Sequence, residues 1–281
     1  MIIDAHHHLW DPGARRHAWL DALPSLCRPF GLDDFTPLAT AHGVTASVLV
    51  QVLPSVTETG EFLAVAASGT VVAGVVGWAD LTAPDVADQI ARLRELPGGD
   101  RLAGLRHLVQ DEPDPDWLDR PDVRRGLRAL ADAGLVYDLL VRPAQLPAAI
   151  RLARDLPGVS FVLDHGGKPD IARGQYEPWA SLVGGLAACP NVVAKLSGLV
   201  TEAGPHWSAA RIGPYASHLI DAFGPHRLMV GSDWPVCTLA ASYGQVLDLA
   251  VSLLSARLGA ADVAGALAGN ARAIYRLQLP G

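Results

Sequence analysis

The feature that most constrains this fold is a rhythm of short apolar runs, each followed by a segment with helical spacing. The first run begins at Ile2; the others lie at Val44–Leu53, Val71–Trp78, Leu102–Val109, Leu135–Val141, Val159–Leu163, Val192–Leu196 and Leu228–Val230. Helical spacing is clearest at Thr57–Ala67, Pro178–Ala188, Ala209–Phe223, Tyr243–Leu258 and Ala261–Tyr275. Apolar runs without alternation are typical of strands buried on both faces of a parallel sheet. Eight such strands alternating with helices predict a single (β/α)8 TIM barrel.

The size of the chain is compatible with that barrel. Its 281 residues are 50% hydrophobic and 18% charged, which suffices for a sizeable core. No linker or change in composition divides the chain, so we expect residues 1–281 to form one domain. A doubly wound open sheet would place a glycine-rich turn after the first strand, and the sequence has none there. The irregular segment Asp11–Leu38 is long for a loop, and a lid over a site is one role for it.

The charge of the chain indicates which partners are not expected, and its cysteine content indicates whether its thiols are reduced. The chain has 22 basic and 29 acidic residues, a net charge of -7 and no basic block, so neither nucleic acid nor an anionic membrane is expected. Cys27, Cys189 and Cys237 are odd in number and widely spaced, which is typical of reduced thiols. The sequence shows neither a secretion signal nor a run of 18 apolar residues. We expect a cytoplasmic protein that binds a small molecule, either as a monomer or as a homo-oligomer.

The first strand carries a pair of histidines on one face. Successive side chains of a strand point to opposite sides, so His6 and His8 project together and His7 projects away. Two imidazoles from one rigid element can serve as metal ligands or as a proton-transfer pair.

Further polar residues follow the other strands, and in a parallel barrel these carboxyl ends surround one site. Arg106 lies inside an apolar strand, where an unpaired charge is costly, so we expect it to meet a carboxylate or a ligand oxygen. His6, His8, His165 and Asp233 can converge on one point. Such a cluster can hold one Zn²⁺ or a related ion; without metal, it can polarise a carbonyl while Asp233 takes a proton from water.

Four motifs, in order along almost the whole chain, resemble the amidohydrolase superfamily. They are Asp4-Ala5-His6-His7-His8, Asp164-His165-Gly166-Gly167-Lys168-Pro169, Gly231-Ser232-Asp233-Trp234-Pro235 and Gly269-Asn270-Ala271-Arg272-Ala273-Ile274-Tyr275. More narrowly, the chain looks like the amidohydrolase 2 branch, which holds L-fuconolactonase, L-rhamnonolactonase and 2-pyrone-4,6-dicarboxylate lactonase. The segments 104–114 and 195–199 are especially similar to the fuconolactonase group.

This resemblance implies a site for no more than one metal ion. The metal-type histidines of the family fall on His6, His8 and His165. The lysine or glutamate on strand four that bridges two metals in the superfamily is absent, and strand five carries no histidine around Tyr137. A binuclear centre is therefore not expected. Because the branch includes enzymes without metal, one divalent ion, zinc or manganese, and metal-independent catalysis both stay open.

The resemblance also implies catalytic roles. Asp233 would be the general base that deprotonates water, and it would then protonate the leaving ring oxygen. His165, with either a metal or the His6/His8 pair, would polarise the ring carbonyl. The substrate-binding candidates are Arg106, Lys168, Gln51, Trp78, Trp207 and Trp234.

The hypothesis is a lactonase, a hydrolase of carboxylic esters, that opens a sugar-acid lactone of the L-fucono-, L-rhamnono- or galactonolactone type to the aldonic acid. Two alternatives stay open. One is a metal-dependent decarboxylase of the same branch, and the other is a barrel that binds a ligand without turning it over.

Overall fold

A computed structural model describes residues 1–279 and contains one sheet of eight parallel strands, each hydrogen-bonded to the next in the chain. The strands are β1 (Ile2–His7), β2 (Val44–Val50), β3 (Val72–Gly77), β4 (Leu102–His107), β5 (Val136–Leu139), β6 (Phe161–Leu163), β7 (Val192–Leu196) and β8 (Leu228–Val230). Helices lie between the strands. The predicted (β/α)8 barrel is therefore confirmed.

The barrel is closed by hydrogen bonds beyond the end of β8. The Asp233 amide donates to the His6 carbonyl over 2.8 Å, and the His8 amide donates to the Trp234 carbonyl over 2.7 Å. We call this junction between residues 6–8 and 232–234 the seam. It joins the first strand directly to the turn that carries Asp233.

The helices form the outer layer. They are α1 (Leu32–Ala41), α2 (Val56–Ala67), α3 (Val86–Glu95), α4 (Pro121–Asp132), α5 (Leu146–Asp155), α6 (Trp179–Ala187), α7 (Leu199–Ala203), α8 (Ala209–Phe223), α9 (Tyr243–Ser255), α10 (Ala260–Ala264) and α11 (Asn270–Ile274). Their apolar faces and the strands share one buried hydrophobic core. Among residues 1–279, no helix is long and apolar enough to cross a membrane.

A second apolar cluster fills the inside of the barrel below the site. It consists mainly of small and β-branched side chains, such as Val48, Val76 and Val162. Tyr275 and Leu277, which follow α11, pack against this cluster. The last described segment thus helps to fill the end of the barrel opposite the catalytic end.

Two segments differ from the sequence-based expectation. The segment Asp11–Leu38, predicted to be a loop, contains the start of α1. Pro37 inside this helix and Gly31 just before it are residues typical of loops. The Asp34 carboxylate accepts from the Gly31 amide over 3.1 Å and stabilises the first turn of this helix. The predicted final helix Ala261–Tyr275 is divided, because a π-helical turn at Gly265–Gly269 separates α10 from α11.

Candidate active site

A cavity of about 350 Å³ opens at the carboxyl ends of the strands. Its polar wall comprises His8, Arg106, Gln110, Asp111, His165, Lys168, Thr201 and Asp233. Its apolar wall comprises Trp10, Trp19, Leu23, Val52, Leu108, Leu140, Val236 and Leu239. The segment between β1 and α1 therefore supplies part of the wall.

Three histidines and one carboxylate meet at the floor of this cavity. Asp233 Oδ1 lies 3.8 Å from His6 Nε2, 3.6 Å from His8 Nε2 and 3.8 Å from His165 Nε2. All four residues are buried. The convergence expected from the strand ends is present in the structure.

The first strand achieves this convergence through an irregularity. Its register against β2 shifts between Asp4 and His7. Simple alternation would put Asp4 on the same face as His6, yet the Asp4 carboxylate accepts from the Tyr243 hydroxyl of α9 over 3.1 Å. The same carboxylate accepts from the Ser232 amide over 2.8 Å and from its hydroxyl over 2.6 Å. Asp4 thus anchors the turn next to Asp233 from outside the barrel.

The Nδ1 atoms of His8 and His165 also have hydrogen-bond partners. His8 Nδ1 lies 2.7 Å from the Val50 carbonyl, which can only accept, so His8 Nε2 keeps a free lone pair. His165 Nδ1 lies 2.9 Å from the Ser197 hydroxyl. When Nδ1–H donates to this hydroxyl, the His165 Nε2 lone pair faces Asp233.

Strained turns place His165 and Asp233. Both residues have left-handed backbone conformations, with φ of 52° and 59°, which cost about 1–2 kcal/mol for a residue with a side chain. The Trp179 indole donates to the Gly166 carbonyl over 2.8 Å and holds the first turn. A Cβ atom on Gly198 would lie 2.6 Å from His165 Nδ1, so the ring packs directly on this glycine.

The electrostatics favour neutral imidazoles beside an ionised carboxylate. Burial lowers the pKa of His6 well below its usual range, lowers that of His8, and lowers that of His165 to about 4. Burial alone would raise the pKa of Asp233, but its contacts with His165 and His8 outweigh this and hold the pKa below the usual range. Neutral imidazoles and a carboxylate are ligands for zinc and related ions.

These side chains fit one divalent metal ion. Ligand atoms of His6, His165 and Asp233 all lie within 4.8 Å of one another. His8 Nε2 lies 3.1 Å from His6 Nε2, and two imidazole nitrogens this close need a hydrogen or a cation between them.

Two basic residues lie on the cavity wall. The Arg106 Nε–H donates to Gln51 Oε1 over 3.1 Å, and its Nη1–H donates to Asp164 Oδ2 over 3.0 Å. Arg106 thus meets a carboxylate, as the sequence predicted. Lys168 Nζ lies 3.7 Å from Glu202 Oε1.

Four predicted substrate-binding residues lie away from the cavity wall. Gln51 is fully buried and orients Arg106 through its amide oxygen and its backbone carbonyl. The Trp78 indole donates to His107 Nδ1 over 3.1 Å, and the Trp207 indole donates to the Ala240 carbonyl over 2.9 Å. Trp234 is buried against Phe30 and Phe35. Trp10 and Trp19 are the tryptophans on the wall.

Sequence reasoning assigned no role to a second buried cluster behind His6. Lys195 Nζ lies 2.5 Å from Asp138 Oδ2 and 2.9 Å from Asp164 Oδ1. The Tyr275 hydroxyl lies 2.8 Å from Asp138 Oδ2. The one signal that could have found this cluster is a lysine and an aspartate inside apolar strands.

Enzymes with a (β/α)8 barrel build their active sites from residues at the carboxyl ends of several strands. This chain has that architecture, with side chains that could hold a metal ion at those ends. The chain matches the amidohydrolase family over residues 3–277, and it belongs to that family.

Proteins similar to this chain are known by sequence and structure. It is 41% identical to an L-fucono-1,5-lactonase of Burkholderia ambifaria, over 99% of this chain and 96% of that protein. It is 39% identical to an L-fucono-1,5-lactonase of Burkholderia multivorans, over 100% of this chain and 97% of that protein. The crystal structure of a Burkholderia multivorans amidohydrolase with bound zinc superposes with a TM-score of 0.93 at 39% identity, covering 99% of this chain and 100% of that one.

Proposed function

We propose that this protein is a lactonase that hydrolyses a sugar-acid lactone of the L-fucono-1,5-lactone type to the aldonic acid. The observation that carries the proposal is the Asp233 carboxylate, which lies within 3.6–3.8 Å of three imidazoles on the floor of the 350 Å³ cavity. The two L-fucono-1,5-lactonases at 41% and 39% identity support this substrate class.

One divalent metal ion is part of the proposal. His6, His165 and Asp233 would hold it, together with His8, whose Nε2 lies 3.6 Å from Asp233 Oδ1. The zinc bound in the Burkholderia multivorans amidohydrolase supports the presence of a metal ion. A bound divalent ion supplies positive charge that polarises a carbonyl and lowers the pKa of a bound water.

Asp233 performs the proton transfers in this mechanism. Its carboxylate takes a proton as the water oxygen bonds to the ring carbonyl carbon. It returns that proton to the ring oxygen as the carbon–oxygen bond of the ring breaks, which leaves a hydroxyl and a carboxylic acid. The low pKa of Asp233 keeps it ionised at neutral pH, ready for the first transfer.

The remaining wall residues bind and orient the lactone. Arg106 and Lys168 supply positive charge where negative charge develops on the carbonyl oxygen. Gln51 acts through Arg106, which it holds in place. Trp10, Trp19 and Leu23 offer an apolar surface to the carbon–hydrogen face of the sugar ring and exclude water.

The test is hydrolysis of L-fucono-, L-rhamnono-, L-galactono- and D-galactono-lactones, followed with a pH indicator alongside the metal content of the protein. We expect Asp233→Asn to lower turnover by about 10²–10⁴-fold, because the general base is lost. Asp88→Asn, on an exposed position of α3, is the control and should match the wild type. Near-normal turnover in Asp233→Asn would show that Asp233 is not the general base.

The same assay separates the alternatives. Release of CO2 from an unsaturated acid, without lactone hydrolysis, would favour the decarboxylase. Tight lactone binding without turnover would favour the ligand-binding barrel.

We also propose a single domain over residues 1–281 and a cytoplasmic location. A continuous sheet from residue 2 to residue 230 and the family match over residues 3–277 support the single domain. The three free cysteines support a reducing compartment.

A further inference from the structure

Asp111 is a carboxylate on the cavity wall that has no partner of opposite charge within residues 1–279. It is exposed at the mouth of the cavity, whereas Asp233 is buried on the floor. Its one side-chain hydrogen bond in this part of the chain comes from Gln110 Nε2, which lies 3.5 Å from Asp111 Oδ2. The carboxylate therefore keeps lone pairs that the protein itself does not use.

The backbone that carries Asp111 is held in place from both sides. Asp111 ends a short 3₁₀ turn, Val109–Asp111, which follows β4. The Val109 carbonyl accepts from Gln145 Nε2 over 2.5 Å. Directly after the turn, His107 Nε2–H donates to Glu112 Oε1 over 2.7 Å. The turn thus presents the Asp111 carboxylate at a defined place on the wall.

The two cations of the cavity wall already have carboxylate partners. Arg106 Nη1 lies 3.0 Å from Asp164 Oδ2, and Lys168 Nζ lies 3.7 Å from Glu202 Oε1. The exposed carboxylate at the mouth and the buried one on the floor therefore leave the site with an excess of negative charge. One divalent ion on the floor would bring the site to neutrality, and a neutral site suits a ligand without a charge of its own.

The place of Asp111 indicates which part of the ligand it meets. In the proposed reaction the ring carbonyl lies at the floor, next to Asp233, so the end of the lactone remote from the carbonyl points to the mouth. An ionised carboxylate can only accept hydrogen bonds, and the hydroxyl groups of a sugar lactone donate them. A carboxylate at that end of the ligand would instead meet Asp111 as a like charge.

We propose that Asp111 is a specificity-determining residue, which accepts a hydrogen bond from a hydroxyl group remote from the carbonyl and rejects lactones that carry a free carboxylate at that end. The inference rests on the proposed function and narrows its substrate class to neutral aldonolactones. Lactones of dicarboxylic sugar acids form the rejected class. The discrimination comes from a repulsive contact with the wrong ligand as well as an attractive contact with the right one.

The kinetic test compares a galactonolactone with the galactarolactone that has a carboxylate in place of its terminal hydroxymethyl group. We expect the wild type to show a kcat/KM at least about 10-fold higher for the galactonolactone. Asp111→Asn keeps the shape of the side chain and removes its charge, so kcat/KM for the galactarolactone should rise by about 5–50-fold. For the galactonolactone it should fall by about 2–10-fold, because an amide oxygen is a weaker acceptor than a carboxylate.

Asp114→Asn is the matched control. Asp114 is exposed on the same segment and does not line the cavity. Its Oδ1 atom accepts from the Asp116 amide over 2.9 Å, which an asparagine can also do. The ratio of the two kcat/KM values should stay unchanged in this variant at about 0.15 M salt, where screening limits exposed charges to about 8 Å. An equal change in both variants, an unchanged ratio in Asp111→Asn, or a wild type that prefers the galactarolactone would overturn the inference.

A binding measurement on metal-free protein separates this inference from the proposed reaction. Trp10 and Trp19 line the cavity, so tryptophan fluorescence can follow titrations with galactitol, a neutral polyol, and with galactarate, a dicarboxylate. Asp111→Asn should bind galactarate at least about 3-fold more tightly than the wild type, and galactitol no more tightly. If the wild type hydrolyses no lactone, the proposed function fails. Equal or undetectable galactarate binding in both proteins overturns the role of Asp111, whether or not lactones are hydrolysed.

Discussion

Replacing Ser197 by alanine tests how the orientation of His165 supports metal binding. The Ser197 hydroxyl lies 2.9 Å from His165 Nδ1, and both side chains are buried. Alanine leaves too little space for a water to replace the hydroxyl, so the imidazole N–H loses its acceptor at a cost of about 1–3 kcal/mol. Losing such a second partner weakens metal binding by about 10–100-fold, or roughly 1.4–2.8 kcal/mol.

The measurement is the zinc dissociation constant by chelator competition, with thermal unfolding recorded on the same samples. Ser208→Ala is the matched control: Ser208 caps α8, accepts from the Arg211 amide over 3.3 Å and lies on the surface. Losing this cap should cost about 1 kcal/mol of stability without changing zinc affinity. Wild-type zinc affinity in Ser197→Ala, or an equal loss of affinity in both variants, would refute the reasoning.

Two further changes test other parts of the structure. A Cβ atom on Gly231 would lie 2.6 Å from His6 Cβ. We therefore expect Gly231→Ala to lower the free energy of unfolding by about 1–3 kcal/mol and to weaken zinc binding. An unchanged unfolding temperature and an unchanged zinc affinity would contradict this packing. Burial raises the pKa of Glu58 from 4.5 to about 7, so the folded protein holds this proton more tightly than the unfolded chain does. The folded protein therefore loses stability as the pH rises between these two values, by roughly 3 kcal/mol at most. Glu58→Gln should therefore gain stability relative to the wild type from pH 5 to pH 8 in urea unfolding, whereas parallel curves would show that Glu58 does not titrate in this range.

The sequence predicted the architecture because strand burial and helical spacing are local properties. Each valine-rich run can be recognised as a buried strand from its own residues. Eight parallel strands that alternate with helices can be connected in only a few topologies. Helix α1 was not recognised because Pro37 and Gly31 resemble loop residues. Its capping by Asp34 becomes visible only when the helix geometry is known.

The site was only partly predictable, since its members differ in how they are placed. His6, His8, His165 and Asp233 follow strands directly, so the barrel alone brings them together. The direction of a tryptophan side chain depends on rotamer and on contacts outside its own element, and Trp78, Trp207 and Trp234 lie elsewhere for this reason. The catalytic roles of the converging residues remain predictions.

The buried cluster behind His6 required information that no single segment contains. Lys195, Asp138 and Asp164 come from β7, β5 and the turn after β6, and they meet through the register of three strands. Strands of three to five residues leave that register undetermined by sequence pattern.

The seam has a consequence for how the protein is made. His6 belongs to the first strand and Asp233 follows the last one, yet their backbones are hydrogen-bonded to each other. At a ribosomal rate of about 5–20 residues per second, the strand with the histidines waits roughly 10–50 s for its last neighbour. During that interval one edge of β1 is open to other chains, and such an edge is a hazard for aggregation. Completion of the barrel and assembly of the site are therefore one event, and metal uptake by a nascent chain would report that synthesis has passed the final strand.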